Sequence, residues 1–195
     1  GADVPELGAT GDVLLRWGAG AFRQSDVCFA WAPLSGANIP PAAAWRYFSG
    51  SSAGRPQFTY GVMESAIGLL QWSDKSRQSN ETSFERSEYF DAPQLPRVGE
   101  FWVLYVPAFR AWLMLHTGPE IVLARLATKP WGPWGEPAVL MNAPAFYAPF
   151  GLSTLTEWDA ATQSLDLHFL GSFLTPHDGQ TKVDRNGEVY LYQTK

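Results

Sequence analysis

Apolar residues recur along the chain in short runs, each closed by glycine, proline or Asx-type turn chemistry. The first is Val13-Leu14-Leu15-Arg16-Trp17, ended by Gly18-Ala19-Gly20. The second is Val27 to Ala32, closed by Pro33 and Gly36. Trp45-Arg46-Tyr47-Phe48 runs into Ser49-Gly50-Ser51-Ser52, and Gln57 to Tyr60 follows. Runs this short, rich in aromatic and branched residues, predict strands rather than helices. A second group comprises Phe101 to Val106, Ala111 to Thr117, Ile121 to Ala127 and Ala138 to Asn142. Its turns are Pro107-Ala108-Phe109-Arg110, Gly118-Pro119 and the segment Lys129 to Gly135. A third group reads Gly151 to Glu157, Ser164 to Phe173 and Val189 to Gln193. Asp159 to Thr162 makes its first turn, and Asp178-Gly179 and Asn186-Gly187 are hairpin signals. Prolines at 107, 119, 130, 133 and 137 bar a continuous helix through the middle third.

The pattern predicts an all-β chain of successive antiparallel meanders, read as a single domain over residues 1–195. Gln71 to Arg97 is polar throughout and is expected to be a solvated loop excursion. Four-stranded meanders in series suit the blades of a β-propeller, and a β-sandwich would use the same strands. A faint repeat points the same way: Asp26-Val27-Cys28-Phe29-Ala30 and Glu120-Ile121-Val122-Leu123-Ala124 each place an acid before an apolar strand.

Composition narrows the function classes. Fourteen Lys and Arg against nineteen Asp and Glu give a net charge of −5 with no basic cluster. That argues against nucleic acid, which is bound by clustered cations. Aromatics make up 14% of the chain, so it has ample apolar surface to bury and is not disordered. The single Cys28 precludes an intrachain disulfide and reads as a small buried hydrophobe. No window has the length and apolarity of a membrane span. The three histidines, His116, His168 and His177, match no metal-ligand spacing. No phosphate loop, dinucleotide fingerprint or nucleophile elbow occurs, so no cofactor and no metal is expected. Asn80-Glu81-Thr82 fits a glycosylation acceptor, a motif common by chance. The chain opens at Gly1 rather than Met, as a processed N-terminus would, and both exterior and cytoplasm remain open as its location.

One stretch resembles a known family. It comprises Val98-Gly99-Glu100-Phe101-Trp102-Val103, Phe109 to Leu115, Ile121 to Arg125 and Pro130-Trp131-Gly132-Pro133-Trp134-Gly135-Glu136-Pro137. These segments resemble the later part of a bacterial domain-of-unknown-function family of five-bladed β-propellers, which includes endo-D-arabinanases. Trp17-Gly18-Ala19-Gly20, Arg23-Gln24-Ser25-Asp26-Val27, Trp45-Arg46-Tyr47-Phe48 and Tyr147-Ala148-Pro149-Phe150 resemble its strands too. The resemblance covers roughly residues 10 to 155. It implies about three blades of a five-bladed type, a glycoside hydrolase-like ancestry acting on furanose polymers such as arabinan, and loss of the early blades. A chain so truncated would leave sheet edges uncovered, to be closed by a partner, most simply a second copy in a homodimer. A non-catalytic module binding sugar or protein is the alternative.

Glycoside hydrolysis needs a carboxyl to protonate the leaving oxygen and a second as base or nucleophile. Glu100 begins a strand directly after Gly99, where close approach is permitted, and is the leading candidate acid. Asp26 follows, with Arg23 as a fork of donors for a carboxylate or a sugar hydroxyl. Glu64 falls where the resembled family carries an acid. Asp12 and Glu157 stand at the edges of candidate inner strands. Trp31, Trp45, Trp102 and Trp112 read as core, and Trp131 with Trp134 as packing residues of a proline-bounded turn. Trp17 and Tyr147, flanked by small residues near strand ends, are the candidate walls of a substrate pocket.

Overall fold

Successive runs of the chain fold back on their neighbours, giving antiparallel sheets, two of them in sequence order and a third in which one strand pairs with both of the strands before it. The computed structural model describes residues 4–19, 26–36, 38–70, 98–118, 121–142, 146–173 and 188–194. Arg23 and the polar stretch 71–97 lie outside the described residues, as do the turns at Asp178-Gly179 and Asn186-Gly187. The first sheet contains β1 (Val13–Ala19), β2 (Val27–Pro33), β3 (Arg46–Ser52) and β4 (Arg55–Tyr60), in the order β1-β2-β3-β4. The second contains β5 (Phe101–Val106), β6 (Ala111–Gly118), β7 (Ile121–Ala127) and β8 (Ala138–Asn142), in the order β5-β6-β7-β8. The third contains β9 (Phe146–Gly151), β10 (Glu157–Asp159), β11 (Ser164–Phe173) and β12 (Glu188–Thr194). All pairings are antiparallel, and among the described residues no α-helix forms. The fold is all-β, with three antiparallel sheets, an arrangement consistent with a propeller-like or a sandwich fold.

The third sheet departs from the expected strand over Gly151 to Glu157. β9 begins earlier, at Phe146, and ends at Gly151; β10 resumes at Glu157. Between them Leu152 donates its N–H to the His168 carbonyl at 2.8 Å, and the Leu155 N–H turns back to the Leu152 carbonyl at 3.0 Å. The Thr156 hydroxyl donates to that same carbonyl at 3.0 Å. Local hydroxyl and turn bonds thus replace the ladder. Ala148, at φ 55°, and Pro149 sit at the register shift where β9 opposes Leu170 to Ser172. That bulge accommodates a proline the sequence pattern would place outside a strand.

The chain divides into two compact units, residues 1–97 with 129–134, and residues 98–128 with 135–195. In the first, β2 is an inner strand and is buried almost throughout, with Val27, Phe29 and Ala32 at 0% exposure. Trp131, from the turn after β7, lies about 6 Å, centroid to centroid, from Phe29 and from Phe58, and stacks with Phe48. Contacts of this geometry add to the area each ring buries. In the second unit Leu104, Leu113, Leu115 and Val122 of β5 to β7 pack with Leu167 and Phe169 of β11.

The repeat expected from the acids before Val27 and Ile121 does not match the sheets. Val27 opens the second strand of its sheet, whereas Ile121 opens the third. The matching positions are Asp12 and Glu100, each immediately before the first strand of its sheet. In the first sheet the Leu34 N–H donates to the Asp12 carbonyl at 2.8 Å. In the second the Thr117 N–H donates to the Glu100 carbonyl at 3.0 Å. Both bonds close the same end of the meander, where the first strand starts and the second finishes.

Candidate functional site

That end of the first sheet carries a cavity. It has a volume of about 260 Å³ and is lined by the loop Gly8 to Asp12 together with Trp31, Pro33, Leu34 and Arg46. The loop is set by two local features. Pro5 to Leu7 form a turn of 3-10 helix, and Gly8 ends it in the left-handed region at φ 64°, where a residue without Cβ is favoured. The Leu34 bond to Asp12 then ties the far end of the loop to the finish of β2.

Register explains the side chains. Trp31 of β2 pairs with Arg46 of β3, and Arg46 pairs in turn with Tyr60 of β4. Cross-strand partners share one face of a sheet, so these three side chains stand in a row. The Arg46 guanidinium carbon lies 4.2 Å from the Trp31 ring centroid and 4.8 Å from that of Tyr60. Both are within cation–π range. Among the described residues the guanidinium has no hydrogen bond and no ion pair, and its Nε is enclosed. Trp31 is 1% exposed, and its indole Nε1 likewise finds no acceptor. Tyr60 stands open to solvent at 62%. Arg46 and the functional side of Trp31 are the residues sequence reasoning missed. The signal was the Trp-Arg-Tyr-Phe run, but its pairing with Trp31 depends on register.

Glu100 is half-buried at the start of β5. Its Oε2 accepts a hydrogen bond from the Thr117 hydroxyl at 3.0 Å, and the Gly99 N–H donates to the Thr117 carbonyl at 3.0 Å. A Cβ on Gly99 would collide with the Thr117 hydroxyl, so the glycine is what allows the two strands to approach here. Two residues along, Trp102 is 38% exposed rather than core, and its ring meets Phe150 edge-on at 6.0 Å.

The remaining candidates fall elsewhere. Asp26 accepts from the Val27 N–H at 2.6 Å, and both of its oxygens lie 3.1 Å from the Leu70 N–H. A Cβ on Gly68 would strike this carboxylate. Asp26 therefore holds the strand start against the segment Gly68 to Leu70. Trp17 packs on Phe29 at 5.4 Å and donates its indole N–H to the Pro130 carbonyl at 2.9 Å. The backbones of Glu64 and Tyr147 are described, in a 3-10 turn and in β9, but their side chains lie outside what is described. Among the described residues no three His, Cys, Asp or Glu gather as metal ligands would.

A buried polar pair sits in the second sheet. Arg125 is 5% exposed and donates from Nε to His116 Nε2 at 3.3 Å and from Nη1 to the Gly135 carbonyl at 2.9 Å. Desolvation, and the charge of Arg125 after it, push the His116 pKa down to about 4. His116 is thus a neutral acceptor holding an internal arginine, not a proton carrier near neutrality.

No protein-family model and no curated protein matches the chain. The fold does have a counterpart in the solved structure of "a putative hydrolase from Bacteroides ovatus ATCC 8483". The TM-score is 0.53, with 12% sequence identity over 95% of this chain. The likeness is one of fold. This chain spans 42% of the length of that protein.

Proposed function

We propose that the protein is a carbohydrate-active module of propeller type that holds a saccharide in the cavity of its first sheet. The observation that carries this reading is the row Trp31, Arg46 and Tyr60 beside an open cavity. It combines a solvent-open aromatic ring, Tyr60, of a kind that suits the apolar faces of sugar rings, with a fork of N–H donors that no residue described here uses. A few convergent polar groups against apolar walls is the usual make-up of a small-ligand site. The exposed carboxylate of Asp12 adds an acceptor for hydroxyl groups. The resemblance to arabinan-acting propellers supports a sugar as the ligand class. Titration with arabino- and galacto-oligosaccharides should give a saturable change in tryptophan fluorescence. No change with any saccharide would remove the reading.

A second reading is glycoside hydrolysis with Glu100 as the proton donor. It is favoured by that half-buried carboxyl, oriented by Thr117 at a strand start with Trp102 exposed nearby in sequence. Release of reducing ends from arabinan, abolished in Glu100→Gln with folding intact, would establish it. Self-association through a sheet edge belongs to the same proposal, and sedimentation distinguishes a dimer from a monomer.

A further inference from the structure

We infer that the cavity of the first sheet selects a sugar bearing a carboxylate, of the uronate type, through Arg46. This inference rests on the saccharide-binding reading above and sharpens it to a ligand class. A guanidinium stays charged at all relevant pH, and that of the half-buried Arg46, with its Nε enclosed, has no counter-charge among the described residues. The rings of Trp31 and Tyr60, with centroids 4.2 Å and 4.8 Å from the Arg46 guanidinium carbon, are cation–π partners that accept no N–H from its edge, where all of its donors lie. Among the described residues no carboxylate meets that edge.

A planar carboxylate is the natural complement of a planar fork, since two parallel N–H···O bonds form at once. Neutral hydroxyls would accept single bonds and leave the charge uncompensated. Size sets the rest of the ligand. About 260 Å³ is below the roughly 300–1,000 Å³ of sites for drug-sized molecules and suits one sugar ring. The Nε1 of Trp31, enclosed and without an acceptor, offers a further donor at the same wall. Asp12 is the single acid among the described lining residues. Because it is exposed, its repulsion of an anion is weakened by solvent, while it can still accept from ring hydroxyls.

Calorimetric titration of the full chain with D-galacturonate and D-glucuronate, against D-galactose, D-glucose and inorganic phosphate, tests this. A uronate should bind at least tenfold more tightly than its neutral parent, and added salt should weaken it. Arg46→Gln should remove that preference. Arg46→Lys, which keeps the charge and loses the fork, should reduce it severalfold, and Asp12→Asn should tighten uronate binding. Equal affinity for a uronate and its parent would overturn the inference while leaving the saccharide reading in place. Phosphate binding as tightly as either uronate would also overturn it, because the sugar ring would then contribute nothing. If no sugar binds at all, both fall.

Discussion

Arg125 donates its Nε–H to Nε2 of His116 across 3.3 Å, and both side chains are shut away from solvent in the second sheet. The bond requires an unprotonated Nε2, so a proton there would set a donor against a donor beside a buried positive charge. In the unfolded chain the same imidazole takes up a proton near its ordinary value of 6.5, and in the folded protein only near 4. The unfolded state therefore binds more protons between those limits. Stability from this pair is complete above about pH 6.5 and declines as pH falls toward 4. The separation corresponds to a loss of about 3 kcal/mol at most. Urea unfolding at pH 7 and at pH 4.5 should show the decline, and His116→Gln should flatten the slope over that window.

Asp26 accepts hydrogen bonds from the backbone N–H groups of Val27 and Leu70. Removing it in Asp26→Ala leaves the Leu70 N–H without its partner, at a cost of about 1–3 kcal/mol. Gly68→Ala should be destabilising as well, since the new methyl meets the Asp26 carboxylate. Saccharide affinity should be unchanged in both, provided each remains folded, as read by calorimetry beside a urea midpoint.

The contact between Gly99 and Thr117 gives a separate handle on Glu100. Gly99→Ala forces its methyl into the Thr117 hydroxyl and should disturb the bond from that hydroxyl to Glu100. Thr117→Val removes the donor with little change of shape and should cost about 1–3 kcal/mol, the range for a buried acceptor left without its donor. If Glu100 protonates a leaving group, both variants should lose arabinan hydrolysis together with Glu100→Gln. Binding of a monosaccharide in the first sheet should persist in all three.

Much of the fold was legible because strand, turn and face are local properties. Phe101 to Val106, Ile121 to Ala127 and Ala138 to Asn142 form strands with the bounds their pattern predicts. The third sheet was harder, because Pro149 and the hydroxyl-rich Leu152 to Thr156 depend on a bulge and on side-chain bonds that periodicity does not encode. Site residues were less legible still. Arg46 reads as one polar position in an aromatic run, and only pairing across β2, β3 and β4 shows it between two rings. Trp102 looks like core by composition yet is 38% exposed, since burial depends on which sheet covers that face. Asp26 and Glu100 look alike as acids before strands. Their hydrogen-bond partners separate them, Asp26 meeting backbone N–H groups and Glu100 a threonine hydroxyl.

Sugar is expected to enter beside Arg46. Nitrogen-detected chemical-shift mapping during titration with D-galacturonate reads this directly, because Arg46 Nε and Trp31 Nε1 each carry their own signal. The largest shifts should fall on those two groups and on the amides of Gly8 to Asp12 and Leu34. Shifts confined to Gly99 through Trp102 and to Phe150, with the Arg46 and Trp31 signals unmoved, would contradict it.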